Sequence, residues 1–204
     1  MHDTVLLALA LPQENADGRF DDLDLPILYT GVGKVNAAMS LTAALHEYGT
    51  SATVINLGSA GSHTLQAGVV VCATRFFQHD MDATALGCAL GQTPFEETTH
   101  LDNGLAIPGL AHAVCYTGDR FITDKHPTLP MQIIDMEAYA IAKVCQRFGA
   151  PFVSLKFITD GADGQAASDW NESVSMSATR LHQALQDTLS YLRHQGARDA
   201  ADKP

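Results

Sequence analysis

Residues 133–140 read IIDMEAYA, and Asp135 and Glu137 stand two apart there among apolar neighbours. Burying carboxylates in such company is costly unless something pairs with them. On an extended backbone the two share a face; if a helix begins between them they diverge, and one caps its positive end. A cap accounts for one of the two. An acceptor for two neighbouring hydroxyls, such as the 2′- and 3′-OH of a ribose, accounts for Glu137. Another carboxyl closes an apolar run in KFITDGAD, residues 156–163, where Asp160 follows Thr159. It reads either as a turn aspartate or as an acid that gives up a proton from a semi-apolar site.

Glycine-rich segments add to these. NLGSAGS (56–62) carries Ser59, which needs an adjacent base to act as a nucleophile. The spacing is not that of the GxSxG elbow, so a loop that hydrogen-bonds a ligand fits better. TGVGKVNAA (30–38) sets glycines before a helix, where backbone N–H groups meet an anion or a hydroxyl; it is neither a Walker A loop nor GxGxxG, and a plain turn is the alternative. QHDMDAT (78–84) holds His79, Asp80 and Asp82, but no further ligands at metal-binding spacing, so a polar loop tying down the end of a sheet is expected.

These residues need elements to carry them. Apolar runs predict strands at 5–11, 25–30, 53–57, 68–77, 111–118, 133–134 and 150–160. Apolar residues at helical spacing predict helices over 34–48, with Gly49 as the stop, and over about 137–148 and 170–194. Residues 78–109, punctuated by glycine and proline, read as loops. Most strands are apolar on both faces and alternate with helices, which predicts an α/β layer fold with a buried, largely parallel or mixed sheet. One domain over residues 1–195 is expected, with 196–204 as a flexible tail. Glu14, residues 31–34, Ser59, His79–Asp80, Phe121, Glu137 and Asp160 all follow predicted strands, the end at which such folds bind ligands.

Bulk properties narrow the classes of function. The 204 residues carry a formal charge of −11, which argues against a nucleic-acid partner. The apolar run near the N-terminus follows His2 and Asp3 and is too short to span a bilayer; it reads as a buried strand rather than a signal peptide, and no membrane partner is expected. Cys72, Cys88, Cys115 and Cys145 form no CxxC pair and sit in apolar contexts, as reduced thiols of a cytoplasmic protein would.

Taken in order, TGVGKVNAA, INLGSAGS, VVVCATRFFQHDMDATALG, TGDRFITD, DMEAYAIAKVC and PFVSLKFITDGAD resemble the purine nucleoside phosphorylase and nucleosidase superfamily. The resemblance is greatest to its 5′-methylthioadenosine/S-adenosylhomocysteine nucleosidases and spans about residues 7–191. Each motif alone is weak, and six in one order carry the resemblance. It implies a phosphorylase/hydrolase-like α/β fold, three layers, α/β/α, around a central mixed sheet, and hydrolysis of the N-glycosidic bond of a purine nucleoside, with adenine the expected base, and with no cofactor and no metal. It implies that Glu14, shortly after the first strand in ALPQEN, activates the attacking water, and by position in the motifs that Ser59 lies near water and sugar and that Met136 and Glu137 hold the ribose. Phe121 would stack on the purine, the backbone of Ile122 would contact it, and Asp160 would protonate N7. Val32 and Leu86 complete the expected substrate-binding set, Leu86 with Ala83 and Cys88 beside the 5′-substituent.

Asn56 stands where phosphorylases of the superfamily have an arginine, and Glu14 where they have a glycine and a basic residue, so water is the expected nucleophile. The alternatives are a phosphate-dependent phosphorylase, a nucleosidase for a larger nucleoside of futalosine or adenosylhopane type, and a non-catalytic nucleoside binder. The chain departs from the pattern in a shorter segment before Gly31 and in Lys156, where an arginine is common. A homodimer or higher homo-oligomer is expected by analogy.

Overall fold

Among the described residues, eight strands form one mixed sheet: β1 (Val5–Leu9), β2 (Ile27–Tyr29), β3 (Thr53–Gly61), β4 (Val70–Gln78), β5 (His100–Leu101), β6 (Ala111–Thr117), β7 (Ile133–Asp135) and β8 (Phe152–Asp160). The helices are α1 (Lys34–Tyr48), α2 (Ala138–Phe148) and α3 (Ala166–Ala201). The computed structural model describes residues 4–124, 129–162 and 166–201. The ends of the chain, 1–3 and 202–204, and parts of two predicted loops, 125–128 and 163–165, lie outside them.

The strands run in the order β2-β1-β3-β7-β6-β4-β5, and β8 pairs with both β3 and β4. The pairings β3–β8, β8–β4, β4–β6, β6–β7 and β7–β3 therefore close a circuit. It closes at Gly61, which is in register with Ile134 of β7 and with Asp160 of β8. Strand β8 is buried at all nine positions, as expected of a strand paired on both edges and covered on both faces.

Alternation along the strands explains the layers. Leu6, Val54, Phe152 and Ile158 pack on one side with Leu41 and Leu45 of α1 and Ile141 and Cys145 of α2. Leu7, Leu9, Ile55, Leu155 and Phe157 pack on the other with Leu181, Leu185 and Leu189 of α3. Each fully buried aliphatic or aromatic side chain contributes about 1.5–3 kcal/mol relative to exposure, and both faces are supplied. The fold is the three-layer α/β/α arrangement that the resemblance implies.

Three boundaries differ from the sequence reading. β3 does not end at residue 57 but continues as strand through Gly58, Ser59 and Ala60 to Gly61, because β8 offers it a partner along this stretch. α3 starts at Ala166 and runs to Ala201, beyond both ends of the predicted 170–194. The irregular stretch after β4 holds only the short β5 and a single 3-10 turn at Thr84–Leu86. Among the described residues no helix is long and apolar enough to cross a membrane.

Candidate active site

The site lies where the strand circuit closes. After β1 the chain enters a 3-10 turn, Pro12–Gly18, that folds Glu14 back onto the strand end. Glu14 Oε2 accepts the N–H of Ala10 at 2.8 Å and of Leu11 at 3.1 Å, and Oε1 accepts the N–H of Ser59 at 3.2 Å. Burial pushes the Glu14 carboxyl above its ordinary value, against the opposing pull of Lys156 and these three N–H groups.

Asp135 and Glu137 do diverge, because α2 begins directly after Glu137. Asp135 Oδ2 accepts the Ala138 N–H at 2.8 Å and pairs with Lys156 Nζ at 2.8 Å, while Oδ1 accepts the Thr117 hydroxyl at 2.6 Å. It is the residue that secures the strand-to-helix junction. Glu137 Oε1 instead accepts the N–H of Gly33 at 2.8 Å, across a turn in which Gly33 has φ +91°, a conformation that favours glycine. Burial first, then the neighbouring Asp135, pushes Glu137 up to about 7.

Asp160 ends β8. Its Oδ2 accepts the Thr159 hydroxyl at 2.6 Å and its Oδ1 the Ala162 N–H at 2.7 Å, which fix the carboxyl in one orientation. Burial opposes a charge on Lys156, but Asp135, Cys115 and Glu137 more than offset it, and the ammonium is held above its ordinary value. A side chain on Gly58 would come within 3.1 Å of Glu14 Oε1 and 3.3 Å of Lys156 Nζ, so glycine there lets the acid and the cation approach.

Glu14, Ser59, Val32, Phe121, Ile122, Met136, Glu137 and Asp160 line one cavity of about 250 Å³, together with Leu11, Gly61, Arg120 and Ala162 among others. The remaining sequence-selected residue does not. Leu86 lies in the turn Thr84–Leu86, 77% exposed, and is absent from the lining, as are Ala83 and Cys88. The physical reason is local: Asp82 accepts the Thr84 N–H and hydroxyl, and Gly87 closes the turn in a left-handed conformation, so the segment folds on itself. Sequence reasoning did not assign roles to Gly33, Thr159 or Arg120. Two of them gave a signal: the glycine turn at 30–38 offered N–H groups to an anion, one of which Gly33 donates to Glu137, and Thr159 stands beside the acid, where a hydroxyl is within reach of the carboxyl.

The fold is an α/β protein with a cavity at the ends of its strands, lined by buried carboxylates and an aromatic side chain. The model of the phosphorylase superfamily matches residues 18–190, and the chain belongs to this family. It is 34% identical over 196 residues to the 5′-methylthioadenosine/S-adenosylhomocysteine nucleosidase of Actinobacillus succinogenes, covering 86% of this chain and 85% of the relative. To the enzyme of that name from Marinomonas sp. it is 32% identical over 193 residues, covering 84% and 83%. The Neisseria meningitidis nucleosidase of the same name, solved with methylthio-immucillin-A, superposes with a TM-score of 0.78 at 25% identity, covering 92% of this chain and 98% of that one. The fold is shared also with the Helicobacter pylori futalosine hydrolase, at a TM-score of 0.84 and 20% identity, with 93% and 98% covered.

Proposed function

We propose that the protein is a nucleosidase that hydrolyses the N-glycosidic bond of an adenine nucleoside with a 5′-thioether, such as 5′-methylthioadenosine or S-adenosylhomocysteine. The observation that carries this reading is that Glu14, Glu137 and Asp160, far apart in sequence, line one cavity with Phe121. The curated relatives named for those two substrates supply the substrate class.

The purine lies against Phe121, with the backbone of Ile122 at its edge, and the ribose lies over Met136 with its hydroxyls donating to Glu137. Asp160 gives its proton to N7 as the bond between N9 and C1′ breaks and its electron pair stays with the purine. Water held between Glu14 and Ser59 attacks C1′ and gives a proton to Glu14. The transition state has oxocarbenium character, as in glycoside hydrolysis, and the buried carboxylates stabilise its positive charge. Each proton transfer contributes roughly 10² to 10⁴ in rate. Water rather than phosphate is the nucleophile. A buried carboxylate, Glu14, occupies the attacking side, and Arg120, a cation among the described lining residues, is exposed and engaged with Asp124 at 3.0 Å.

The test is incubation with 5′-methylthioadenosine with and without phosphate. Free adenine and free sugar, formed at the same rate in both, are expected; sugar phosphate formed only with phosphate would overturn the reading. Val32, Val35 and Met39, 40%, 75% and 65% exposed, form an apolar row from the cavity rim along α1. They support a homodimer, to be checked by sedimentation, where a monomer at micromolar concentration would count against it. The free cysteines support a reducing, cytoplasmic setting.

Glu137 must be ionised to accept two hydroxyls, so kcat/KM is expected to rise as pH increases through about 7. The same group works in the opposite sense on stability. Its folded value is raised, so the contribution is present below the ordinary carboxylate range and is lost as pH rises through about 7. In Glu137→Gln both trends should flatten; an unaltered acid limb in that variant would assign the titration to another group.

A further inference from the structure

Next to cavity-lining residues, but outside the lining, lies a polar cluster that the reaction does not use. Lys34 Nζ is 2.5 Å from Asp80 Oδ1, 3.2 Å from Gln78 Oε1 and 3.8 Å from Asp119 Oδ2. The Lys34 N–H donates to Asp119 Oδ1 at 2.8 Å, and the Asp119 N–H donates to Asp80 Oδ2 at 2.8 Å. Each group belongs to a different segment: Lys34 to the start of α1, Asp80 to the turn after β4, and Asp119 to the loop after β6. Two residues from Asp119 is Phe121, and one residue from Lys34 is Gly33, whose N–H holds Glu137. The His79 N–H donates to the Thr117 carbonyl at 3.0 Å and the Gly118 N–H to the Asp135 carbonyl at 3.2 Å, so the same loop is also fixed to the strand that leads to Glu137. Gly118 is needed there, since a side chain would collide with the His79 ring.

We infer that Asp119, with Lys34 and Asp80, forms a clamp of positioning residues that sets the spacing between the purine-stacking Phe121 and the ribose-holding Glu137. This rests on the functional reading above. Stability alone is a weak reason for the cluster. The side chains are 17%, 27% and 49% exposed for Lys34, Asp80 and Asp119, and ion pairs so placed add little. Placement is a strong reason, because a nucleoside bridges base and sugar sites at a fixed length. A displacement of about 1 Å between groups that must act together lowers a rate by about 10²-fold. Burial works against a charge on Asp80, yet its bonds to Lys34 and to the Asp119 N–H hold its carboxyl below the ordinary range.

Asp119→Ala removes the acceptor of the Lys34 N–H, whereas Asp119→Asn keeps an oxygen for it. For the alanine variant we expect kcat/KM for 5′-methylthioadenosine to fall by about 10²-fold, with Tm near that of the wild type, and the asparagine variant to recover most of the loss. Combined with Glu137→Gln, the alanine change should cost much less than it does alone, because the group it positions is gone. Amide hydrogen exchange supplies a readout independent of turnover: residues 31–34 and 118–122 should exchange faster in Asp119→Ala. If that variant does not fold, Asp80→Ala, which removes the acceptor of both Lys34 Nζ and the Asp119 N–H, carries the same expectations. Unchanged exchange in residues 31–34, or turnover at the wild-type rate, would overturn the clamp, as would a loss that adds fully to that of Glu137→Gln. A wild-type protein that releases no base in the same assay would overturn the functional reading instead, and exchange alone would then decide on the clamp.

Discussion

Asp160→Asn is expected to lower the rate of base release by about 10² to 10⁴ while leaving nucleoside binding largely intact. Asparagine has the size of the acid it replaces and can still accept the Ala162 N–H that Oδ1 accepts now, at 2.7 Å. At the other position its NH₂ can donate to the Thr159 oxygen, whose hydroxyl now donates to Oδ2 at 2.6 Å. The fold around it should therefore hold, and what disappears is a proton for the leaving purine. Without that proton the base departs as an anion, so the whole cost falls on the chemical step and not on the ground state. Single-turnover assays with 5′-methylthioadenosine, beside calorimetric binding of the same nucleoside, separate the two effects. Unimpaired turnover would refute the role as acid. Loss of binding in parallel with loss of rate would show instead that the residue shapes the pocket.

The second large effect concerns stability. Lys156 is 1% exposed and its ammonium meets Asp135, itself 6% exposed, at 2.8 Å. Lys156→Met keeps a long apolar stem in the strand but leaves Asp135 buried without its cation. Removing one partner of a buried pair costs about 3–5 kcal/mol, which is a large part of the total stability of a domain this size. The dependence on pH has a definite sign. Burial works against the Asp135 charge and Lys156 overrides it, holding the carboxyl below its ordinary value. That contribution is present above the ordinary value and lost as pH falls through the lowered one. In the variant the carboxyl is raised instead, so its stability is best in acid and declines as pH rises. The gap between wild type and variant should thus be widest at neutral pH and narrow toward acid. Denaturant titrations across pH measure it, and a loss below about 1 kcal/mol at neutral pH, the scale of an exposed pair, would contradict the assignment. Lys156 also pulls the Glu137 carboxyl down, so in the variant the acid limb of kcat/KM should move to higher pH.

Local pattern determined much of the architecture. Helix α1 occupies the predicted residues 34–48, since its apolar spacing and the Gly49 stop are properties of neighbouring residues. β8 was legible as a largely apolar run, whereas the sequence left Asp135 and Glu137 either sharing a face or diverging, and the start of α2 at Ala138 decided for divergence. The motifs and their order selected Ser59, Phe121, Met136, Glu137 and Asp160 as one set, and the place of Glu14 just after the first strand added it.

Tertiary structure alone decided how those residues meet. The segment NLGSAGS looks like a loop because glycine is a poor strand former, yet it is strand, because β8 pairs with it from 98 residues away, as the Asn56–Ser154 register shows. The meeting of β3, β7 and β8 at Gly61 depends on pairings that no local periodicity records. The partner of Lys156 was likewise invisible: a lysine inside an apolar strand is costly until a carboxylate from another strand is brought to it. Leu86 was misplaced for the converse reason, since an apolar residue in a loop carries no sign of whether the chain folds it inward, and here its own turn holds it outside. Periodicity and capping act over a few residues and can be read in order; strand pairing and charge pairing are set by which distant segments become neighbours, and only the folded chain settles that.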